Sequence, residues 1–187
     1  MLEPLASWHA DALFEAAVGQ EIFTWFPADP SGSLESMRAM VRAALDAAAA
    51  GREVPFAILD AASGEVVGST RFLEIRLEHL RAEIGFTWLV PRVWSTGMNV
   101  EAKLMLLGHA FERVGLRRVE FKTDARNLRS RGALEALGAR FEGVFRKHMV
   151  VRGGAARDSA YYSVIDDDWP AVKPRLEARL RDSGVRS

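Results

Sequence analysis

The hydrophobic pattern of this chain changes its period at Pro91. Before that proline, residues 54–60, 65–77 and 81–90 are strand-like, and the turn AASG joins the first two as a hairpin. After it, residues 100–114 repeat apolar side chains at helical spacing. The residues on that apolar face are Leu104, Leu107, Ala110, Phe111 and Val114. Strands with short links pair antiparallel, whereas strands joined through a helix run parallel, so the chain is predicted to form a mixed sheet.

The remaining segments supply further helices and strands. One helix is predicted to begin after Ser7 as its N-cap residue, and a second covers 34–50 with Ser33 as the cap. The later segments are a strand (117–124), a helix (126–139), two strands (140–151 and 158–165) and a C-terminal helix in 166–180 that Pro174 interrupts near its start. Together they predict an α/β (α+β mixed sheet) fold with flanking helices, as one domain over 1–187 with a helical appendage at 166–187.

Composition excludes several classes of function. Lys plus Arg and Asp plus Glu both number 25, so the chain lacks the general positive charge that nucleic acid attracts. The absence of cysteine excludes disulfides, thiolate metal sites and a cysteine nucleophile. His109 and Glu112 are spaced like metal ligands but have no further ligands in view, so no metal is expected. The first residues lack the basic segment of a signal peptide, and no apolar run approaches the ~20 residues that span a bilayer, so we expect a cytoplasmic protein without membrane contact.

The hexapeptide WSTGMN, residues 94–99, lies between the third predicted strand and the helix at 100–114. The first amides of a helix have no acceptor within it, the helix dipole places about half a positive charge there, and glycine admits a ligand close to the backbone. Residues 95–100 therefore suit a phosphate group. The simpler interpretation is that Thr96 or Asn99 only caps the helix, and the hexapeptide alone leaves both open.

Four motifs in fixed order, AEIGFTWLV, WSTGMNVEAK, TDARNLRS and ALGARFEG, are similar to those of the GNAT N-acetyltransferase superfamily. The chain most resembles the branch that acetylates N-terminal amines of ribosomal proteins, from about Pro4 to Ile165. The resemblance implies a central mixed sheet whose strands 81–90 and 118–123 splay apart at the site of the cosubstrate, acetyl-CoA. The chain departs from the family at Trp94, where an arginine or glutamine is usual, so the loop would bind mainly through backbone amides.

The resemblance also implies which residues bind acetyl-CoA. The pantetheine arm would pair with the backbone of Trp88, Leu89 and Val90. The pyrophosphate would lie on Ser95, Thr96, Gly97, Met98, Asn99 and Val100. Asn127 matches a family asparagine that hydrogen-bonds the pantetheine, and Ser130 matches a serine three residues later. Arg131, with Arg126 and Arg129, is placed to bind the 3′-phosphate. The alternatives are that Asn127 only caps its helix and that the arginines form a solvated face.

Acetyl transfer from a thioester to an amine needs a neutral amine, a donor for the carbonyl oxygen and a proton for the departing thiolate. We predict that Ser130 supplies that proton, with Tyr161 and Tyr162 as second choices. The two tyrosines are adjacent on a strand, so at most one faces the site. Glu83 is predicted to accept the amine proton through water, and His148 is the other candidate.

The acceptor is predicted to contact Trp25, in the aromatic loop 23–30, and His148. The alternative for the loop is that it packs on the core. We expect direct attack in a ternary complex by a primary amine, first a protein or peptide N-terminus and second a small polyamine, antibiotic or amino acid. The rival functions are a non-catalytic acyl-CoA-binding regulatory module and an interaction protein in which the loop is only a cap. A first strand at residues 1–5 that is short or missing would leave a sheet edge open, which suggests a homodimer.

Overall fold

The computed structural model describes residues 1–183 and contains seven strands and five α-helices among them. The strands are β1 (Leu2–Pro4), β2 (Val54–Leu59), β3 (Val66–Arg76), β4 (Arg81–Leu89), β5 (Arg118–Asp124), β6 (Arg140–Val150) and β7 (Ala156–Ile165). The helices are α1 (His9–Ala17), α2 (Leu34–Ala49), α3 (Met98–Gly108), α4 (Leu128–Leu137) and α5 (Trp169–Asp182). The predicted mixed α/β fold is confirmed.

The strands form one mixed sheet in the order β1-β2-β3-β4-β5-β7-β6. The parallel pair is β4 with β5, as predicted, and its register runs from Arg81↔Arg118 to Glu83↔Glu120. The pairs β1–β2, β2–β3, β5–β7 and β6–β7 are antiparallel. The chain divides into two compact units, residues 1–75 with 84–94 and residues 76–83 with 95–183, and the predicted single domain stays a prediction.

The first unit contains α1, α2, β1 to β3 and the larger part of β4. Its core is apolar and is formed mainly by Leu13, Ala17, Phe23, Met37, Val41, Ala44, Ile58 and Val67. Ser33 caps α2 as predicted, since its side chain accepts a hydrogen bond from the Ser36 amide. The predicted Ser7 cap is wrong: Trp8 is the N-cap residue of α1 and already has helical φ and ψ. The helical turn therefore begins one residue later than the serine.

The strand β1 exists and is short, with a register from Leu2↔Ile58 to Pro4↔Phe56. The N-terminal ammonium donates to the carbonyl oxygen of Leu59 at 3.0 Å, which extends the pairing by one further contact. The expected open edge is therefore partly occupied by the chain's own first residues. The homodimer stays a prediction.

The second unit contains the start of β4, then α3, β5, α4, β6, β7 and α5. Its buried apolar side chains include Leu106, Leu107, Val119, Phe121, Tyr162, Val164, Trp169 and Leu176. Lys103 of α3 is buried with them, and its Nζ lies 5.7 Å from the centre of the Phe121 ring. Burial lowers the pKa of Lys103 to about 7. A pattern of apolar residues does not predict a lysine at such a position.

The ends of α3 and α5 differ from the prediction in detail. The α3 segment continues as a π-helical turn, His109–Val114, which ends at the left-handed Gly115. Within that turn Glu112 accepts hydrogen bonds from Trp169 and Lys173, each at 2.8 Å. The predicted interruption by Pro174 is wrong, because α5 begins at Trp169 and runs through the proline. Its buried side chains, which include Trp169 and Leu176, hold it against its unit despite the missing amide hydrogen.

Residues 184–187, the end of the predicted appendage, lie outside the described residues. Among residues 1–183, no helix is long and apolar enough to cross a bilayer. The same residues contain no cluster of His, Asp and Glu that could hold a metal ion.

Candidate functional site

The end of β4 has an unusual backbone conformation. Phe86 has a φ of +48°, in the left-handed region that residues other than glycine rarely adopt. The guanidinium of Arg71 lies 4.3 Å from the centre of the Phe86 ring, and its Nη1 also donates to Glu53 Oε2 at 2.7 Å. The next residue, Thr87, shares a 2.7 Å hydrogen bond with Thr70 through the two hydroxyl oxygens. Side chains of β3 thus hold the segment that precedes the predicted pantetheine-binding residues.

Those residues, Trp88, Leu89 and Val90, are all buried. The Val90 amide donates to the carbonyl oxygen of Val67 at 2.9 Å, so it is already used within the protein. The Leu89 carbonyl oxygen accepts from Trp94 Nε1 at 2.8 Å, and a carbonyl oxygen can accept a second hydrogen bond. The Trp88 indole nitrogen is buried and has no hydrogen-bond partner among the described residues.

Trp94, at the position where the chain departs from the family pattern, forms a hydrogen bond with the preceding strand. Its indole folds back and donates to the carbonyl oxygen of Leu89, within the first unit. The side chain that replaces the usual arginine or glutamine therefore links the end of β4 to the residue before the loop through a hydrogen bond.

The loop before α3 begins the helix without a side-chain cap. Gly97 is the N-cap residue, with a φ of +91°, and Ser95 is also left-handed, with a φ of +64°. The interpretation that Thr96 or Asn99 is the cap is wrong, because Gly97 occupies that position and Asn99 is already helical. The Asn99 Oδ1 atom is buried and has no hydrogen-bond partner among residues 1–183. The loop therefore combines left-handed backbone, first-turn amides and an unsatisfied side-chain oxygen.

Asn127 begins α4 and caps it, since its Oδ1 accepts from the Ser130 amide at 3.1 Å. This confirms the capping alternative and also fixes Ser130 one turn into the helix, half-buried. Arg131 donates to the Tyr162 hydroxyl at 3.0 Å and to the Ala125 carbonyl oxygen at 3.1 Å. The predicted phosphate-binding arginine thus has contacts within its own unit.

The two tyrosines of β7 have separate environments. Tyr162 is fully buried and donates to Glu135 Oε1 at 2.8 Å, and burial is the main cause that raises the pKa of Tyr162. Its hydroxyl is held by Arg131 and Glu135, which makes it a poor proton donor for a ligand. Tyr161 is half-buried, and its hydroxyl lies 3.2 Å from His148 Nε2.

Glu83 is buried, with 2% of its surface exposed, and it accepts from Lys122 Nζ at 3.0 Å. It is the last β4 residue in the parallel register with β5. Charges of Arg157 and Glu83 act on each other within the same unit. Glu83 is therefore an ion-paired carboxylate inside the protein rather than a solvated acid at a strand end.

His148 lies on β6 with a hydroxyl at each ring nitrogen. Its Nδ1 is 3.1 Å from Ser159 Oγ, and its Nε2 is 3.2 Å from Tyr161 Oη. Partial burial, followed by the positive charges of Lys122 and Arg157, lowers the pKa of His148 below its usual value. The lowered pKa favours the neutral imidazole, which can accept a proton.

Sequence reasoning did not identify Ser159. Its position two residues before Tyr161 places both side chains on one face of β7, which is the only signal that the sequence carries. The irregular register of β6, with a left-handed Lys147, brings His148 opposite that face, and no local pattern predicts it.

The aromatic loop at 23–30 packs on β4. The Phe23 ring is buried and lies edge-on to both Trp88 and Phe26, with 5.2 Å between ring centres in each case. The Phe26 ring lies 6.2 Å from Phe86. Trp25 lies between Phe23 and Phe26 in the sequence and is half-buried. Only part of its side chain is therefore open to a ligand.

Comparison with known proteins agrees with this arrangement. Residues 1–140 match the family described as an acetyltransferase (GNAT) domain. The chain is 25% identical over 175 residues to the uncharacterized N-acetyltransferase YoaA of Bacillus subtilis (strain 168), with 94% of each chain covered. The crystal structure of a GCN5-related N-acetyltransferase from Brucella melitensis is 35% identical, with a TM-score of 0.88 over 95% of this chain and 80% of that one. Mycobacterium smegmatis RimJ, in complex with CoA-disulfide, is 25% identical, with a TM-score of 0.76 over 98% of this chain and 88% of that one.

Proposed function

We propose that this chain, which belongs to the GNAT acetyltransferase family, transfers the acetyl group of acetyl-CoA directly to the N-terminal amine of a protein or peptide. The main support is the conformation of the loop before α3. Gly97 and Ser95 are left-handed there, and the helix begins without a side-chain cap. First-turn amides at a positive helix end are the donors that a pyrophosphate requires.

The residues present fit acetyl-CoA. The amides of residues 95–100 would bind the pyrophosphate, and the unsatisfied Asn99 Oδ1 offers an acceptor for a ligand N–H group. The backbone of Trp88, Leu89 and Val90 and the side chain of Asn127 are the proposed contacts of the pantetheine arm. Arg131 is the proposed contact of the 3′-phosphate. Bound acetyl-CoA supplies a thioester whose carbonyl carbon an amine can attack.

The reaction needs few groups from the protein. The proposed role of Ser130 is to donate a proton to the departing thiolate, for which its half-buried place in the first turn of α4 is suitable. Glu83 was predicted to accept the amine proton through water, but its carboxylate is ion-paired with Lys122. We therefore propose that Glu83 attracts and orients the acceptor amine instead. Trp25 and His148 are the proposed contacts of the acceptor.

A protein N-terminus is the favoured acceptor for a chemical reason. An α-amine has a pKa near 8, so roughly a tenth of it is neutral at pH 7, whereas fewer than about one in a thousand lysine side chains is neutral there. The similarity to RimJ supports the branch of the family that the sequence motifs indicate. A small-molecule amine is the other outcome of the test.

The test measures CoA release with peptides that have free N-termini, N-blocked lysine peptides, polyamines and aminoglycosides. Gly97→Val should weaken acetyl-CoA binding by about tenfold or more, measured by calorimetry, because it places a β-branched side chain at a left-handed position against the ligand. The matched control is Gly115→Val, at the other, exposed end of the same helical segment, where a side chain meets open space. Lack of acetyl-CoA binding by the unaltered protein, or lack of CoA release with every amine, would overturn the proposal.

A further inference from the structure

We propose that Tyr161, His148 and Ser159 form a proton relay that receives the proton lost by the acceptor amine. The inference rests on the proposed acetyl transfer and names the proton acceptor for it. It assigns Tyr161 the contact with the amine, His148 the role of proton acceptor and Ser159 the role of positioning residue.

The two hydroxyl side chains lie within hydrogen-bonding distance of His148. Ser159 Oγ and Tyr161 Oη lie 3.1 Å and 3.2 Å from the two ring nitrogens of His148, so each nitrogen has one hydroxyl partner. A hydroxyl both donates and accepts, which means that either neutral tautomer is satisfied. A proton on Nδ1, donated to Ser159, leaves the lone pair of Nε2 directed at the phenol.

The three side chains differ in their exposure to solvent. Ser159 is fully buried, Tyr161 is half-buried and His148 is exposed. The buried serine fixes the orientation of the imidazole from the protein side. The exposed side of the imidazole can return a proton to water. The Phe145 ring, 4.5 Å from the centre of Tyr161 and 5.7 Å from that of His148, packs against both rings and restricts their rotation.

The relay lies on the same face of the sheet as Lys122. Tyr161 is directly opposite Lys122 in the β5–β7 register, so the two side chains share a face. Lys122 in turn hydrogen-bonds Glu83, at the last residue of the parallel β4–β5 register. The relay and Glu83 thus lie together within the second unit, on the face where we place the acceptor amine.

The charged groups around His148 come from three strands. Lys122 faces it from β5, and Arg157 from β7, and both oppose its protonation. Asp158 of β7 accepts a hydrogen bond from the amide of Lys147, and Arg146 and Lys147 are the two charged residues that precede His148 on β6. The two positive charges favour the neutral imidazole at rest and the rapid release of a proton after reaction.

The atoms balance as follows. The amine nitrogen attacks the thioester carbonyl carbon, a C–N bond forms, and the C–S bond breaks with its electron pair on sulfur. The N–H proton passes to Tyr161 Oη as the phenolic proton passes to His148 Nε2, and the imidazolium then releases a proton to water. The thiolate takes a proton from Ser130, which regains one from water.

The test compares His148→Gln with His79→Gln, a change of an exposed histidine in the turn before β4. Glutamine keeps hydrogen-bonding groups for Ser159 and Tyr161 but cannot accept a proton. His148→Gln should lower kcat by about tenfold or more, with unchanged acetyl-CoA affinity and melting temperature. Tyr161→Phe should lower kcat by about the same factor as His148→Gln. The double variant should lower kcat no further than either single variant, because the residues act as a unit. His79→Gln should match the unaltered protein.

The pH profile separates this role from a structural one. For a peptide α-amine, log kcat/KM should rise with a slope of two at acidic pH, where both the amine and His148 must lose a proton, and a slope of one above the pKa of His148. The slope should be one throughout in His148→Gln. Undiminished kcat with the two-slope profile in His148→Gln overturns the relay while CoA release still supports acetyl transfer. Absence of CoA release in the unaltered protein overturns the proposed function instead.

Discussion

The indole of Trp94 donates its Nε1 hydrogen to the carbonyl oxygen of Leu89 at 2.8 Å. A side chain at the position where the family carries a ligand-binding residue is thus hydrogen-bonded to the end of β4. The bond links the end of the strand to the residue before the loop, so we expect Trp94 to affect the proposed binding of acetyl-CoA through the backbone rather than by contact with the ligand.

Trp94→Phe keeps an aromatic side chain, although a smaller one, and removes the N–H donor. We expect a loss of about 1 kcal/mol in the free energy of unfolding and a several-fold rise in the Kd for acetyl-CoA, measured by urea unfolding and calorimetry. Trp8→Phe is the control, since Trp8 is 74% exposed. Unchanged acetyl-CoA affinity in Trp94→Phe would show that the loop does not depend on this bond.

Gly68 lies against the backbone of β4. A Cβ added there would be 2.0 Å from the carbonyl oxygen of Trp88, and backbone cannot move aside as a flexible side chain can. Gly68→Ala should therefore destabilise the protein by about 2 kcal/mol or more. Gly32→Ala, where a Cβ meets open space in the same unit, should change stability by less than about 1 kcal/mol. Equal midpoints for the two variants in urea unfolding would contradict the prediction.

Arg71 places its guanidinium over the Phe86 ring and binds Glu53 at the same time. Arg71→Lys keeps the positive charge for Glu53 but loses the guanidinium over the ring, so we expect a loss of about 1 kcal/mol in unfolding free energy. Arg92→Lys alters an exposed pair with Glu65 and should have almost no effect. A stability change in Arg92→Lys as large as that in Arg71→Lys would argue against a specific role for the cation–π contact.

Lys103 should make stability depend on pH. Its pKa is about 7 in the folded protein and about 10.4 in the unfolded chain, so between these values the unfolded chain binds more protons. The cost of burying the lysine is therefore greatest below pH 7 and fades as pH rises, and the free energy of unfolding should rise by at most about 1.4 kcal/mol per pH unit in that window.

Urea unfolding at pH 6 to 9 tests that prediction with Lys103→Met. The variant should be more stable than the unaltered protein at pH 7 and should lose the rise with pH. Lys173→Met is the control, because Lys173 is partly exposed and stays protonated through this range. Parallel pH curves for the unaltered protein and Lys103→Met would contradict the assignment.

Hydrophobic spacing predicted the second helix and most strands closely, because alternation and helical repeats are local properties. The parallel β4–β5 pair followed from the helix between the two strands. The cap of α3 could not be chosen correctly, since Thr96, Gly97 and Asn99 are all acceptable caps by residue type alone.

The features missed in the candidate site depend on contacts that are distant in the sequence. A phenylalanine is not expected in the left-handed region, so the conformation of Phe86 can be recognised only when Arg71 and Phe26 are seen beside it. Lys103 was passed over because a charged residue breaks an apolar pattern, although its side chain is buried. Ser159 has no motif, and its place under His148 follows from the irregular β6–β7 register.

The left-handed Phe86 also has a consequence for the order of folding. A phenylalanine in an isolated strand prefers the extended conformation, so the local sequence of β4 alone does not produce the observed backbone. That backbone becomes favourable only after the Phe26 loop and the Arg71 strand have docked beside it. We therefore expect the backbone at Trp88, which is the proposed contact of the pantetheine arm, to be among the last parts of its unit to reach its final conformation.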